Sequence, residues 1–141
     1  MKFWFSAIVV GCLALPAYAE TATLALPGGQ AVQFPAGGLI GVAGPGMVLT
    51  LTRVNDQRCP SAFDCYWEGL IRVVIAIKVE GFDPTFVIMC NSCEDGDREA
   101  TVAGYRLALD HLEPDHAVIE QLGRAAVLAD YTVVATVSAA P

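Results

Sequence analysis

One stretch, Gly69 to Val79 (GLIRVVIAIKV), confines the fold more than any other part of the chain. Ile71, Val73, Ile75, Ile77 and Val79 fall on one side of an extended backbone, and Arg72, Val74, Ala76 and Lys78 on the other. Branching at Cβ stiffens these side chains and suits them to a pleated surface, and a period of two matches a strand rather than a helix. This is a half-buried strand, long enough to cross a sandwich. The same alternation recurs at Thr21 to Leu26, Met47 to Val54, Glu99 to Leu109 and Tyr131 to Ser138, and Ala31 to Phe34 and Thr85 to Cys90 read as further strands.

Turn residues separate these runs. Pro27 to Gly46 carries Gly28-Gly29, Pro35, Gly37-Gly38 and Gly44-Pro45-Gly46, which read as turns because no strand-to-helix pattern surrounds them. Asp95-Gly96 predicts a hairpin between Thr85 to Cys90 and Glu99 to Leu109. Pro114-Asp115 predicts the start of a short helix through Leu122, with Gly123 as its stop. Six or seven short strands with turns between them, and no long helices, predict an all-β fold: an antiparallel β-sandwich with room for one short helix.

The N-terminus reads as a secretory signal peptide over residues 1–19. Lys2 precedes an apolar run from Phe3 to Leu15, and Ala17-Tyr18-Ala19 supplies the small-x-small cleavage site. The apolar run is short of the about 20 residues a membrane span needs. Val9-Val10-Gly11-Cys12 is the competing pattern, a lipobox that would lipidate Cys12 and anchor the chain to a membrane; the apolar residues after Cys12 argue against it. A chain beginning at Glu20 then forms a single domain, residues 20–141, with no transmembrane segment after cleavage. Without Lys2 it holds 7 basic and 15 acidic side chains, a formal charge of −8. That field repels phosphate backbones, so nucleic acid is not an expected partner.

Export decides how the cysteines read. Cys59, Cys65, Cys90 and Cys93 are an even set, and in an oxidising compartment such a set is a disulfide framework with three connectivities. Chain entropy favours crossed pairing, roughly 3.8 against roughly 2.4 kcal/mol per bridge. Proximity favours the local pairs Cys59–Cys65 and Cys90–Cys93, which are the expectation here.

With the strands and cysteines in place, a resemblance can be read. RCPSAFDCYWEG, Arg58 to Gly69, resembles the R-C-P-x4-C-x-W-x-G signature of a family of small bacterial exported proteins and lipoproteins. The resemblance continues through an acidic residue before R-C-P, a long alternating strand, a late L-x-P region (Leu109 to Pro114) and a final tyrosine-bearing strand (Asp130 to Val137). It covers most of the mature chain and implies export, but carries no activity to transfer. Gln57 and Glu68 stand where smaller residues are usual, and Cys90 and Cys93 look like an addition.

Several groups of residues have the chemistry for a site. Met89, Cys90 and Cys93 are soft ligands suited to copper, and with His111 and His116 they make a candidate copper or zinc site. The Cys90-x-x-Cys93 spacing also suits a thiol redox pair, but Glu94, Asp95 and Asp97 beside it disfavour a thiolate. HLEPDH (His111 to His116) reads as an exposed polar loop, since Pro114 prevents regular i, i+4 placement of the two His. NSCEDGDRE (Asn91 to Glu99) offers oxygen donors without the order of a calcium loop. Tyr66 and Trp67 are candidates for stacking on a ligand or partner; packing on the core edge is the plainer expectation. No G-x-S-x-G occurs. The sequence predicts a non-enzymatic binding or structural module of the cell envelope, with no cofactor and an unidentified protein or small ligand as partner. The alternatives are a metal-handling protein or, third, a thiol redox protein.

Overall fold

The computed structural model describes residues 21–39, 42, 44–66, 69–94 and 96–141. The leader and Cys12 lie outside these residues, as do Trp67, Glu68 and Asp95. Among the described residues, eight strands form two four-stranded antiparallel sheets. β1 (Thr21–Pro27), β6 (Glu99–Val102), β7 (Tyr105–Glu113) and β8 (Thr132–Ala139) make the first sheet, in the order β1-β8-β7-β6. β2 (Ala31–Phe34), β3 (Met47–Arg58), β4 (Gly69–Val79) and β5 (Thr85–Cys90) make the second, in chain order.

The alternation predicted along β4 is realised. Val73, Ile75, Ile77 and Val79 are buried, while Lys78 is exposed. They meet Leu49 and Leu51 of β3 and, from the other sheet, Leu107, Leu109, Val133, Ala135 and Val137 in one cluster. Fully burying each such side chain contributes about 1.5–3 kcal/mol, so this shared layer is what holds the two sheets face to face. The chain is an antiparallel β-sandwich.

Two expectations need correction. Glu99 to Leu109 is not one strand but a hairpin, β6–β7, turning at Ala103-Gly104. Both turn residues have positive φ, 50° and 82°, as a type I′ turn requires. The inward positions change from even (Ala100, Val102) to odd (Tyr105, Leu107, Leu109) across it, and Ala-Gly is a weaker turn signal than Asp-Gly. Asp95 lies outside the described residues, but the strands flanking Asp95-Gly96, Thr85–Cys90 and Glu99–Val102, do not pair as a hairpin: they belong to different sheets, and Cys90 N–H donates to the Asp97 carbonyl at 3.1 Å. The short helix exists as α1, His116–Glu120, and ends before Leu122.

β3 runs beyond Val54 to Arg58, and a register shift between Leu51 and Arg53 explains why its pattern breaks. Leu51 pairs with Ile75, and the next pair is Arg53 with Val74, so Thr52 is an extra residue. A bulge of this kind reverses parity. Before it the odd residues Leu49 and Leu51 face the core; after it Val54, Asp56 and Arg58 do.

Cys59–Cys65 and Cys90–Cys93 are both disulfides, in the local pairing. Arg58 pairs with Gly69, and Arg72 with Cys90, so both bridges sit at the same end of the second sheet.

Candidate functional site

The bulge delivers Asp56 and Arg58 to the inner side of the sandwich at this stapled end. Their side chains are 3% and 13% exposed. Arg58 grips Asp56 with two nitrogens: Nε donates to Oδ1 and Nη2 to Oδ2, both at 2.8 Å. The Arg58 backbone N–H donates to Oδ1 at 3.2 Å. Tyr131, immediately before β8, donates its hydroxyl to Oδ2 at 3.3 Å, and His116 Nδ1 lies 3.2 Å from the same oxygen. The remaining guanidinium nitrogen, Nη1, donates to the carbonyls of Leu112 (3.2 Å) and Pro114 (2.8 Å).

One ion pair therefore bonds to β3, the end of β7, the residue that opens β8 and the first residue of α1. A planar guanidinium with five donors can do this; an ammonium cannot. Burial pushes the Asp56 carboxyl up, but the Arg58 hydrogen bonds and charge, with His116, outweigh it and lower the pKa from 3.8 to about 2. Tyr131 moves the other way: burial, and then the Asp56 charge, raise its hydroxyl.

A second set of contacts leads outward. His116 Nε2 is 3.6 Å from Glu120 on α1. Glu120 accepts from the Ser61 backbone N–H at 3.1 Å and from the Ser61 hydroxyl. These bonds, the Ser61 hydroxyl foremost, hold Glu120 below the usual carboxylate range. Ser61 belongs to the Cys59–Cys65 loop, so that loop is tied to α1 as well as to itself. At its surface Phe63 is 69% exposed and Tyr66 fully exposed, and Val118 of α1 is also exposed. Gly69, which closes the loop, has φ +89°, and a Cβ there would overlap the Arg58 backbone and the Gln57 carbonyl. The glycine that ends the motif is needed so that β3 and β4 can meet.

The other predicted positions are placed as follows. Tyr66 does not pack on the core edge; its ring stands in solvent. Trp67 lies outside the described residues. Met89 and Cys90 are buried at the end of β5, with Cys90 bonded to Cys93. Asn91, inside that small ring, accepts from the Ile71 N–H at 2.8 Å and donates to the Gly69 carbonyl at 3.2 Å, which pins the ring over the start of β4. His111 pairs with Glu113 at 3.1 Å on the exposed side of β7, whereas His116 pairs with Asp56. The structure thus splits the five candidate ligands among three places. Among the described residues no group of three or more His, Cys, Asp or Glu is arranged to hold a metal ion.

Asp56, Arg58 and Tyr131 were not singled out from sequence as site residues. The signal lay in the motif itself: the acidic residue before R-C-P, the L-x-P region and the final tyrosine are the parts that converge here. No protein-family model, curated protein or solved structure matches this chain.

Proposed function

We propose that the mature chain is an exported, non-enzymatic binding or structural module of the cell envelope, with the stapled end as its working surface. What supports this reading is how the Asp56 cluster is satisfied. Both carboxylate oxygens and three guanidinium nitrogens bond to the protein itself. A carboxylate kept ionised by a bidentate arginine makes a poor proton carrier at neutral pH, but a good brace for loops. The brace presents Phe63 and Tyr66 outward on a loop held by a disulfide. Rigid, exposed aromatics of this kind supply contact area at low entropic cost. Two disulfides suit an oxidising compartment, and among the described residues no helix is long and apolar enough to cross a membrane.

Copper or zinc handling by Met89, Cys90, Cys93, His111 and His116 would require the Cys90–Cys93 bridge to open, since the thiolate is the ligand form. Intact mass of the protein from its native compartment, purified without chelator and measured under native and denaturing conditions, tests the reading. A chain starting at Glu20, lighter by the hydrogens of two disulfides and free of metal, is the expected result. Free thiols with stoichiometric metal would overturn it. A lipid-sized increment at Cys12 would move the module to a membrane face without changing its fold.

A further inference from the structure

Two exposed surfaces of this molecule carry opposite charge and matching apolar groups. The first is the loop tip at the stapled end, with Phe63, Asp64 and Tyr66 exposed and Asp115 beside α1. Arg58, the cation that adjoins this loop in sequence, is engaged with Asp56 and with the Leu112 and Pro114 carbonyls, so it does not offset the tip's acids.

The second is the outer face of the β2-β3-β4-β5 sheet. Phe86 (67% exposed) and Ile88 (55% exposed) stand on β5, the edge strand. Beside them a shallow depression of about 200 Å³ is lined by Val48, Thr50, Ala76, Lys78, Pro84 and Phe86. The outward positions of these four strands hold Arg53, Arg72 and Lys78 and no carboxylate; Glu80, just past the end of β4, lines a cleft with Lys78 and Val48 at the margin of the face, and Asp83 lies in the β4–β5 turn. In a chain with 15 acidic and 8 basic side chains, that is a local reversal of sign. The edge strand TFVIMC also contains no charge or proline to block association, the usual protections of an exposed edge.

We propose that the acidic aromatic tip of one copy docks on the basic apolar face of a second copy, head to tail. Charge selects this arrangement. Face against face would bring Lys78 toward Lys78, and tip against tip Asp64 toward Asp64, whereas tip on face pairs Asp64 with Lys78 and seats an aromatic ring by Phe86. The tip cannot reach the Phe86 and Lys78 part of its own face. It sits at the Gly69 end of β4, seven residues before Ala76, or about 23 Å of strand, and its disulfide holds it there. Contacts of this heterologous kind close into rings or run on as chains. The inference deepens the binding-module reading by naming the partner.

Sedimentation velocity of the exported, oxidised protein, from about 10 μM to about 1 mM, tests it. The weight-average mass is expected to rise with concentration and to fall with added salt. Tyr66→Ser and Phe86→Asp should each weaken association at least tenfold. An equimolar mixture of the two variants retains one intact tip and one intact face, and should give a discrete dimer and nothing larger. Lys78→Glu mixed with Asp64→Lys should associate where each alone does not; since both positions are exposed, folding is not at risk. A monomer at every concentration, or association that Tyr66→Ser leaves intact, would overturn the docking. Either result would leave the binding-module reading standing, because that rests on the intact-mass experiment.

Discussion

Replacing Arg58 with Met tests the brace at its centre. The change keeps much of the apolar stem and removes the guanidinium. Asp56, 3% exposed, loses both its 2.8 Å partners, and the Leu112 and Pro114 carbonyls lose their donor. Breaking a buried pair by removing one member typically costs 3–5 kcal/mol, because the other charge remains unpaired. His116 and Tyr131 still reach Oδ2, and His116 brings some water contact, so the lower part of that range, about 3 kcal/mol, is expected. For a domain of about 120 residues the unfolding entropy is about 0.25 kcal/mol/K, so the midpoint should fall by about 12 °C. The assay is reversible thermal unfolding of the oxidised protein at pH 7, run as a cycle with Asp56→Asn. A coupling energy of about 2 kcal/mol is expected, since the asparagine variant has no stranded charge to expose. A loss under 1 kcal/mol for Arg58→Met, or strict additivity with Asp56→Asn, would show that Arg58 is merely lying against the surface.

The remaining predictions concern separate links in the same structure. Asp56 has a folded pKa of about 2 against 3.8, so its contribution is present above pH 4 and lost as pH falls from about 4 to about 2; reduced for solvent screening it amounts to about 1–2 kcal/mol, and urea titrations from pH 5 to 2 should show that component missing in Asp56→Asn. Gly69→Ala should cost more than 2 kcal/mol in the same denaturant assay, because a Cβ would meet Arg58 backbone and the positive φ is unfavourable as well. Ala103→Asn should stabilise by about 0.5 kcal/mol, since asparagine tolerates the φ of 50° at the β6–β7 turn better than alanine. Replacing Cys59 and Cys65 together with Ser should cost about 2 kcal/mol from loop entropy, and proteolysis should then cut first between Pro60 and Tyr66.

Much of the architecture was legible because strand composition and alternation are local properties. Ala31–Phe34, Gly69–Val79 and Thr85–Cys90 coincide with β2, β4 and β5, and the inward residues of β4 are those read from its sequence. Legibility failed where chain direction changes without strong turn chemistry. Ala103-Gly104 turns a hairpin that Asp95-Gly96 advertised more loudly, because the segment after Cys90 is claimed by Asp97 in crossing between sheets. The expectation for Tyr66 failed for another reason: hydrophobicity says a ring would gain from burial, but a seven-residue disulfide ring tied to α1 leaves it no way back to the core.

By itself the sequence determined most of the strands and the two faces of β4, and made the local cysteine pairs the expectation. All of these depend on residues within a few positions of one another. The tertiary structure decided what the motif's side chains meet. Asp56 meets Tyr131 across 75 positions and His116 across 60, and Arg58 reaches Pro114 across 56. These meetings rest on one extra residue, Thr52, which turns Asp56 and Arg58 from the outer to the inner side of β3. No local period encodes that reversal. It is settled when β3 finds its register on β4, and the burial of Leu49, Leu51 and Val54 on one face supplies the free energy that fixes it.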